Sequence, residues 1–284
     1  MSNPTTGTDA AAPNALLENA GLDVIAESER KGRPRDLFMP WFAANISVLG
    51  LSWGAWVLSF GLNAVQAIIA GTIGITFSFF LCGVMAVLGK RGSAPTLALT
   101  RAAFGYNGNR LSAVISWMLT VGWETVLCIL ATLASATVLE ALGWHNTVGA
   151  QIVGFLMTVG LAASAGILGF DTIMKVQTWI TWATGVLTVI YLILVAGRID
   201  WTALGSLPAG NAAAFIGALV MVATGFGLGW VNAAADYSRY LPRSASTVGV
   251  VGWTTTGAAL PCVILIIAGT LLVGSDAELG EAIN

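Results

Sequence analysis

From Leu37 to Gly89 the chain runs without a single charged residue, and long apolar stretches separated by short polar ones recur to its end. A helix needs about 20 apolar residues to cross ~30 Å of hydrocarbon, so each stretch can be counted as a span. The first is long enough for two helices and divides near Gly61–Ala64, where Gly61 and Asn63 supply turn chemistry. Seven spans are predicted, over residues 39–60, 65–88, 111–142, 147–168, 176–197, 212–235 and 247–273. Residues 1–36 form a polar amino-terminal tail with no apolar leader, expected to stay in the cytoplasm, and 37–284 form one membrane domain.

Composition sharpens this picture. Apolar residues make up 56% and charged ones only 9%, against about 25% charged in a soluble domain. The pattern excludes a basic nucleic-acid binder. Cys82, Cys128 and Cys262 all lie inside apolar runs without metal-ligand spacing, which argues against a disulfide framework, a zinc site or any resident cofactor. An embedded enzyme would need a nucleophile or metal constellation that these cysteines and the lone His145 do not supply. His145 reads as a surface residue in a short outer loop.

The charges also orient the chain, because Lys and Arg near span ends are retained on the cytoplasmic side. With the amino terminus inside, Arg30, Lys31, Arg33, Arg35, Lys90, Arg91, Arg101, Arg110, Lys175, Arg239 and Arg243 all fall inside, and of the 12 basic residues only Arg198 falls outside. Seven spans place the last residues outside, and GSDAELGEAIN reads as a loop leading toward another span.

Candidate chemistry concentrates in three spans. The first and sixth contain clustered glycines: Gly50 and Gly54 flank Ser52 and Trp53, and Gly225, Gly227 and Gly229 precede Trp230. Corresponding broken helices in two halves mark the midplane binding site of inverted-repeat transporters. Close helix packing explains the Gly50–Gly54 spacing equally well. In the third span, Glu124 is a carboxylate about 20 Å along the helix from Leu111, a costly position that points to function, or else to a bond with a neighbouring helix. Beside it, Trp123 offers a flat face, so that a planar ring could stack on the indole while the carboxylate accepts from ring N–H groups. Trp230 and Phe226 could supply a second aromatic wall, although a lone Trp also suits an interface anchor. Asn45, Ser52 and Asn232 could hydrogen-bond a ligand or a neighbouring backbone. Asp171 and Lys175, four apart, look like an interfacial pair, and Asp236, Arg239 and Arg243 like a cap beneath the sixth span.

Several segments resemble a known family. These are the tail NAGLDVIAESERKGRPRDLFMPWFAAN, LSWG in the first span, the loop GSAPTLALTRAAFGYNG, GWETV in the third span and GFGLGWVNAAADYSRYLP closing the sixth. Together, over residues 16–270, the chain resembles the purine/cytosine permeases, the nucleobase cation symporters, and is most similar to their fungal-type branch. The resemblance implies an all-α LeuT-type inverted-repeat fold and cation-coupled import of cytosine, a purine or a related planar heterocycle across the plasma membrane, with sodium or a proton as the coupling ion. It implies a stacking role for Trp123, an aromatic role for Trp230 or Phe226, substrate contacts at Ser52, Gly229 and Asn232, and cation binding by Asn45 and the Val48 backbone. Two departures stand out. Many members carry an amide four residues after the third-span tryptophan, where this chain has Leu127, and Glu124 follows that tryptophan directly. The eighth span, which the family uses for substrate and cation, is not in this sequence, so a nontransporting scaffold or an inactive transporter fragment is the alternative expectation.

Overall fold

The computed structural model describes residues 21–167, 170–276 and 278, with the side chains of residues 165–175 outside the described set. The helices, in chain order, are α1 (Phe38–Asn45), α2 (Leu49–Leu58), α3 (Ala64–Gly92), α4 (Thr96–Leu99), α5 (Arg101–Ala141), α6 (Thr147–Ile167), α7 (Phe170–Ala196), α8 (Trp201–Ser206), α9 (Ala212–Gly225), α10 (Ala234–Ser238) and α11 (Thr247–Ser275). Among the described residues six helices are long and apolar enough to cross a membrane, and the bent pair Pro34–Asn45 with Leu49–Leu58 adds a seventh if it is one span.

Several helix ends follow from local chemistry. Asn63 caps α3 reciprocally, its side chain accepting from Gln66 N at 2.9 Å while Gln66 Oε1 accepts from Asn63 N at 3.2 Å. Gly61, with φ +75°, makes the turn before it. Other boundaries differ from expectation. The span predicted over 39–60, with its interruption expected at Gly50–Gly54, is two helices meeting at 71° and parting instead at Ile46–Val48. The sixth span ends as α at Gly225, continues as a 3-10 turn over Gly227–Ala233 and resumes as α10. α5 begins at Arg101 rather than 111, because the Gly- and Asn-rich segment that reads as loop coils into helix on either side of a kink at Gly105. α7 begins at Phe170 rather than 176. The expected Asp171–Lys175 pair lies outside the described side chains.

Among the described residues, contacts divide the chain into two units, the smaller chiefly of residues 118–175, the larger of residues 22–117 with 176–276. In the larger unit α3 packs along α11, α9 and α10, and α1 and α2 pack on α11. Its core includes Trp41, Trp53, Phe79, Cys82, Phe226, Cys262 and Ile266. Small residues let these helices approach closely, as in membranes where apolar lipid supplies no hydrophobic drive for association. A Cβ on Gly54 would overlap the α11 backbone at Gly269 and Thr270, and one on Gly269 would overlap the Leu51 carbonyl.

The described part of the tail is not free. Ile25 N donates to Ser93 O at 2.9 Å and Lys31 N to Tyr240 O at 2.8 Å, with Ile25 and Leu37 buried. Arg30 donates to the Lys90 carbonyl and pairs with Glu27 at 2.8 Å, while Glu27 also meets Arg243 at 3.5 Å. Lys90, expected in a loop, is buried at the end of α3, where its ammonium donates to the Ala245 carbonyl and, at 2.9 Å, to Thr247 Oγ1. A buried charge needs such partners to offset lost hydration.

Candidate substrate and ion site

The first broken element, α1–α2, parts at Ile46–Val48 and contains no glycine there. The last carbonyls of a helix have no intrahelical donor, so a break inside a span exposes acceptors where lipid offers none. Asn45 closes α1: its Nδ2 donates to Trp41 O at 2.8 Å, and its Oδ1 accepts from the Cys262 thiol of α11 at 3.5 Å. The amide is thus held by neighbouring protein groups at both its nitrogen and its oxygen. Val48 is exposed and its carbonyl accepts from Leu51 N at 2.9 Å. Gly50, Ser52 and Gly54 all sit within α2, past the break, so the LSWG segment is helical and its glycines serve packing against α11. Ser52 is half-buried.

The second broken element does part at glycine. Phe226 leaves helical geometry at φ −103° and ψ −109°, and Gly227 N donates to Ser78 Oγ of α3 at 3.0 Å. A Cβ on Gly227 would overlap the backbone of Ser78 and Phe79, so only glycine fits this crossing. Phe226 is 8% exposed, its ring 4.6 Å from Trp53 and 6.4 Å from Phe79, and the structure places it in the core rather than on an open wall. Trp230 is half-buried and meets Trp41 edge-on at 5.9 Å. Gly229 is half-buried beside it, and Asn232 Nδ2 donates to Ser116 Oγ. Asp236 does not point to solvent as a simple cap: its Oδ1 accepts from Thr96 N at 2.8 Å and Thr96 Oγ1 at 2.9 Å, fastening α10 to α4.

Trp123 and Glu124 belong to the smaller unit. There Glu124 lines an open groove of ≈480 Å³ with Thr125, Cys128, Thr132, Gln151 and Phe155, among others. Trp123, one residue earlier and so about 100° round the helix, is not part of that lining. The carboxylate and the indole therefore do not share this groove. Gln151, a lone amide in an apolar span, was the available signal for a polar group opposite Glu124, and the sequence reading passed over it. Trp41 was also missed. It is fully buried in the first broken element, and its indole N–H has no acceptor among the described residues. Nothing in the pattern separates it from the interfacial tryptophans.

The sequence profile described as permease for cytosine/purines, uracil, thiamine, allantoin matches residues 24–280. The chain belongs to that family. Within it, a putative purine-cytosine permease of Bacillus subtilis is 28% identical over 269 residues, covering 91% of this chain and 55% of that protein. A purine-cytosine permease of Saccharomyces cerevisiae is 26% identical over 264 residues, covering 89% and 47%. The chain thus spans about half the length of the curated relatives it matches. The structure of Mhp1, a nucleobase-cation-symport-1 family transporter solved in a closed conformation with bromovinylhydantoin bound, superposes with a TM-score of 0.68 at 18% identity. That match covers 90% of this chain and 56% of the Mhp1 chain. The permease fold is therefore the LeuT-type arrangement expected from the sequence, carried by a multi-pass helical membrane protein.

Proposed function

We propose that this chain works in cation-coupled import of a nucleobase or a related planar heterocycle, with its amino terminus in the cytoplasm and its spans in the plasma membrane. The observation that carries the reading is the pair of broken elements, α1–α2 and α9–α10, in a chain of the permease family. Broken helices expose backbone donors and acceptors inside a span, where a ligand or ion can use them. Trp123 is assigned to stacking on the ring, and Trp230 to the aromatic role of the second break, in preference to the buried Phe226. Ser52, Gly229 and Asn232 are assigned to substrate contacts, and the acceptors at the α1 break, including Asn45 and the Val48 backbone, to sodium or a proton. Glu124 is assigned to reading the N–H edge of the ring, an assignment its groove position makes the first to test.

Uptake of labelled cytosine, adenine, hypoxanthine, uracil and allantoin into permease-deficient cells expressing the chain tests the reading, with membrane insertion verified. Saturable uptake that Trp123→Ala abolishes is expected, and replacement of sodium at fixed pH then identifies the ion. Unchanged affinity in Glu124→Gln removes Glu124 from the site. Absence of uptake from well-inserted protein favours the second reading, a membrane component that does not transport unaided.

A further inference from the structure

We propose that Arg101 and Arg110, converging on Tyr106 at the start of α5, form a binding site for the phosphate of an anionic phospholipid. The Arg101 guanidinium lies 5.8 Å and that of Arg110 4.9 Å from the centroid of the Tyr106 ring. Two like charges drawn to one ring repel each other, and no carboxylate among the described residues pairs with either. Planar guanidiniums match phosphate oxygens in fork geometry, so an anion bridging them removes the repulsion and adds charge-assisted hydrogen bonds.

The scaffold beneath is built rather than loose. Gly105, at φ +67°, kinks the chain so that the residues before and after it fold back toward one another. Asn109 is 5% exposed and locks the kink: its Nδ2 donates to Leu97 O at 2.7 Å, and its Oδ1 accepts from Thr100 Oγ1 at 2.7 Å. The fastening of Thr96 to Asp236 ties the same turn to α10.

Lipid, rather than free phosphate, is favoured by the surroundings. Phe104 and Tyr106 are 57% and 65% exposed beside the guanidiniums, at the mouth of a 41-residue apolar helix. Exposed aromatics next to basic groups at a span end match the headgroup level of a bilayer, where basic clusters attract anionic lipid. The site rests on the orientation proposed above only for the choice of leaflet. Failure of substrate uptake leaves it standing.

Native mass spectrometry of the full chain in neutral detergent tests the proposal, using phosphatidylglycerol and phosphatidylcholine of equal acyl length and, separately, inorganic phosphate. Wild-type protein is expected to retain phosphatidylglycerol at least tenfold more tightly than phosphatidylcholine. R101Q/R110Q should lose that preference, R101K/R110K should keep part of it, and R33Q/R35Q, which removes the same charge elsewhere on the same face, should keep it in full. Equal loss in R33Q/R35Q and R101Q/R110Q would mean that total charge sets the preference, and would overturn the site. Displacement of the lipid by millimolar inorganic phosphate would overturn the assignment to lipid. If R101Q/R110Q does not fold, the Lys pair and Tyr106→Leu decide: preference unaltered in both overturns the proposal.

Discussion

The two broken elements reach the same end by different means. In α9–α10 the break falls where a glycine must be: the chain passes so close to α3 that any side chain at residue 227 would overlap the backbone of Ser78 and Phe79. In α1–α2 the break falls at Ile46–Val48, and the nearby glycines, Gly50 and Gly54, lie inside regular helix against α11. Glycine clusters thus report close approach in both elements but a change of direction in only one. The bend of the first element is held instead by Asn45, whose amide ties the end of α1 to its own turn and to Cys262.

Four substitutions can break or sharpen this contrast. Gly54→Ala should cost most, about 4 kcal/mol, because the main chains of α2 and α11 must separate to admit the methyl. Gly227→Ala comes next at about 3 kcal/mol, since the 3-10 turn can shift somewhat. Thermal unfolding in detergent ranks the two, and a negligible effect at either would remove the close approach assigned there. Gly50→Ala should cost about 2 kcal/mol, because the added methyl meets Leu265 rather than main chain: its Cδ1 can rotate away, but its Cβ moves only with α11. Equal losses at Gly50 and Gly54 would show that Leu265 blocks α2 as firmly as the Gly269–Thr270 backbone does. Ser78→Ala, which leaves Gly227 N without its acceptor, should cost about 1–2 kcal/mol, a penalty for an unmade bond.

The smallest effect belongs to the tail. The hydrogen bond from Arg30 chiefly holds the exposed Glu27 carboxyl below its ordinary range, aided by the charges of Arg30 and Arg243. A depressed carboxylate contributes its stabilisation fully above the unfolded pKa and loses it as pH falls through the folded value. Amide exchange at residues 25–31, corrected for intrinsic rates, should therefore quicken modestly as pH drops below about 4, and Glu27→Gln should abolish that dependence. No pH dependence in the wild type would detach Glu27 from the strap.

The spans and the break of the sixth were legible because apolar length and the Gly225–Gly229 cluster are local properties of the chain, whereas the first break lies at Ile46–Val48 and not at the Gly50–Gly54 cluster that pointed to it. The turn at Gly61 and the cap at Asn63 were legible for the same reason. What escaped depends on partners distant in sequence. Lys90 reads as a loop cation until Ala245 and Thr247 receive it, and Phe226 reads as a site aromatic until Trp53 and Phe79 enclose it. The kinked start of α5 was hidden by its own composition, since Gly105 and Asn109 are loop residues by propensity and become ordered through Thr100 and Leu97. Glu124 was legible as a carboxylate in a span, but the 100° that separates it from Trp123 fixes which groove it enters, and that follows from helix phase rather than adjacency.

The Gly54–Gly269 crossing also has a mechanical meaning. With no side chains between the two backbones, sliding α2 along α11 by one residue, about 1.5 Å, would drive the neighbouring Cβ atoms of either helix into the other's main chain. The joint resists axial travel and permits at most a tilt about the contact point. α2 and α11 therefore form a single strut, and α1 is fastened to the same strut by the close approach of Phe38 to Gly257, so the 71° angle of the first span is set by α11 from both sides.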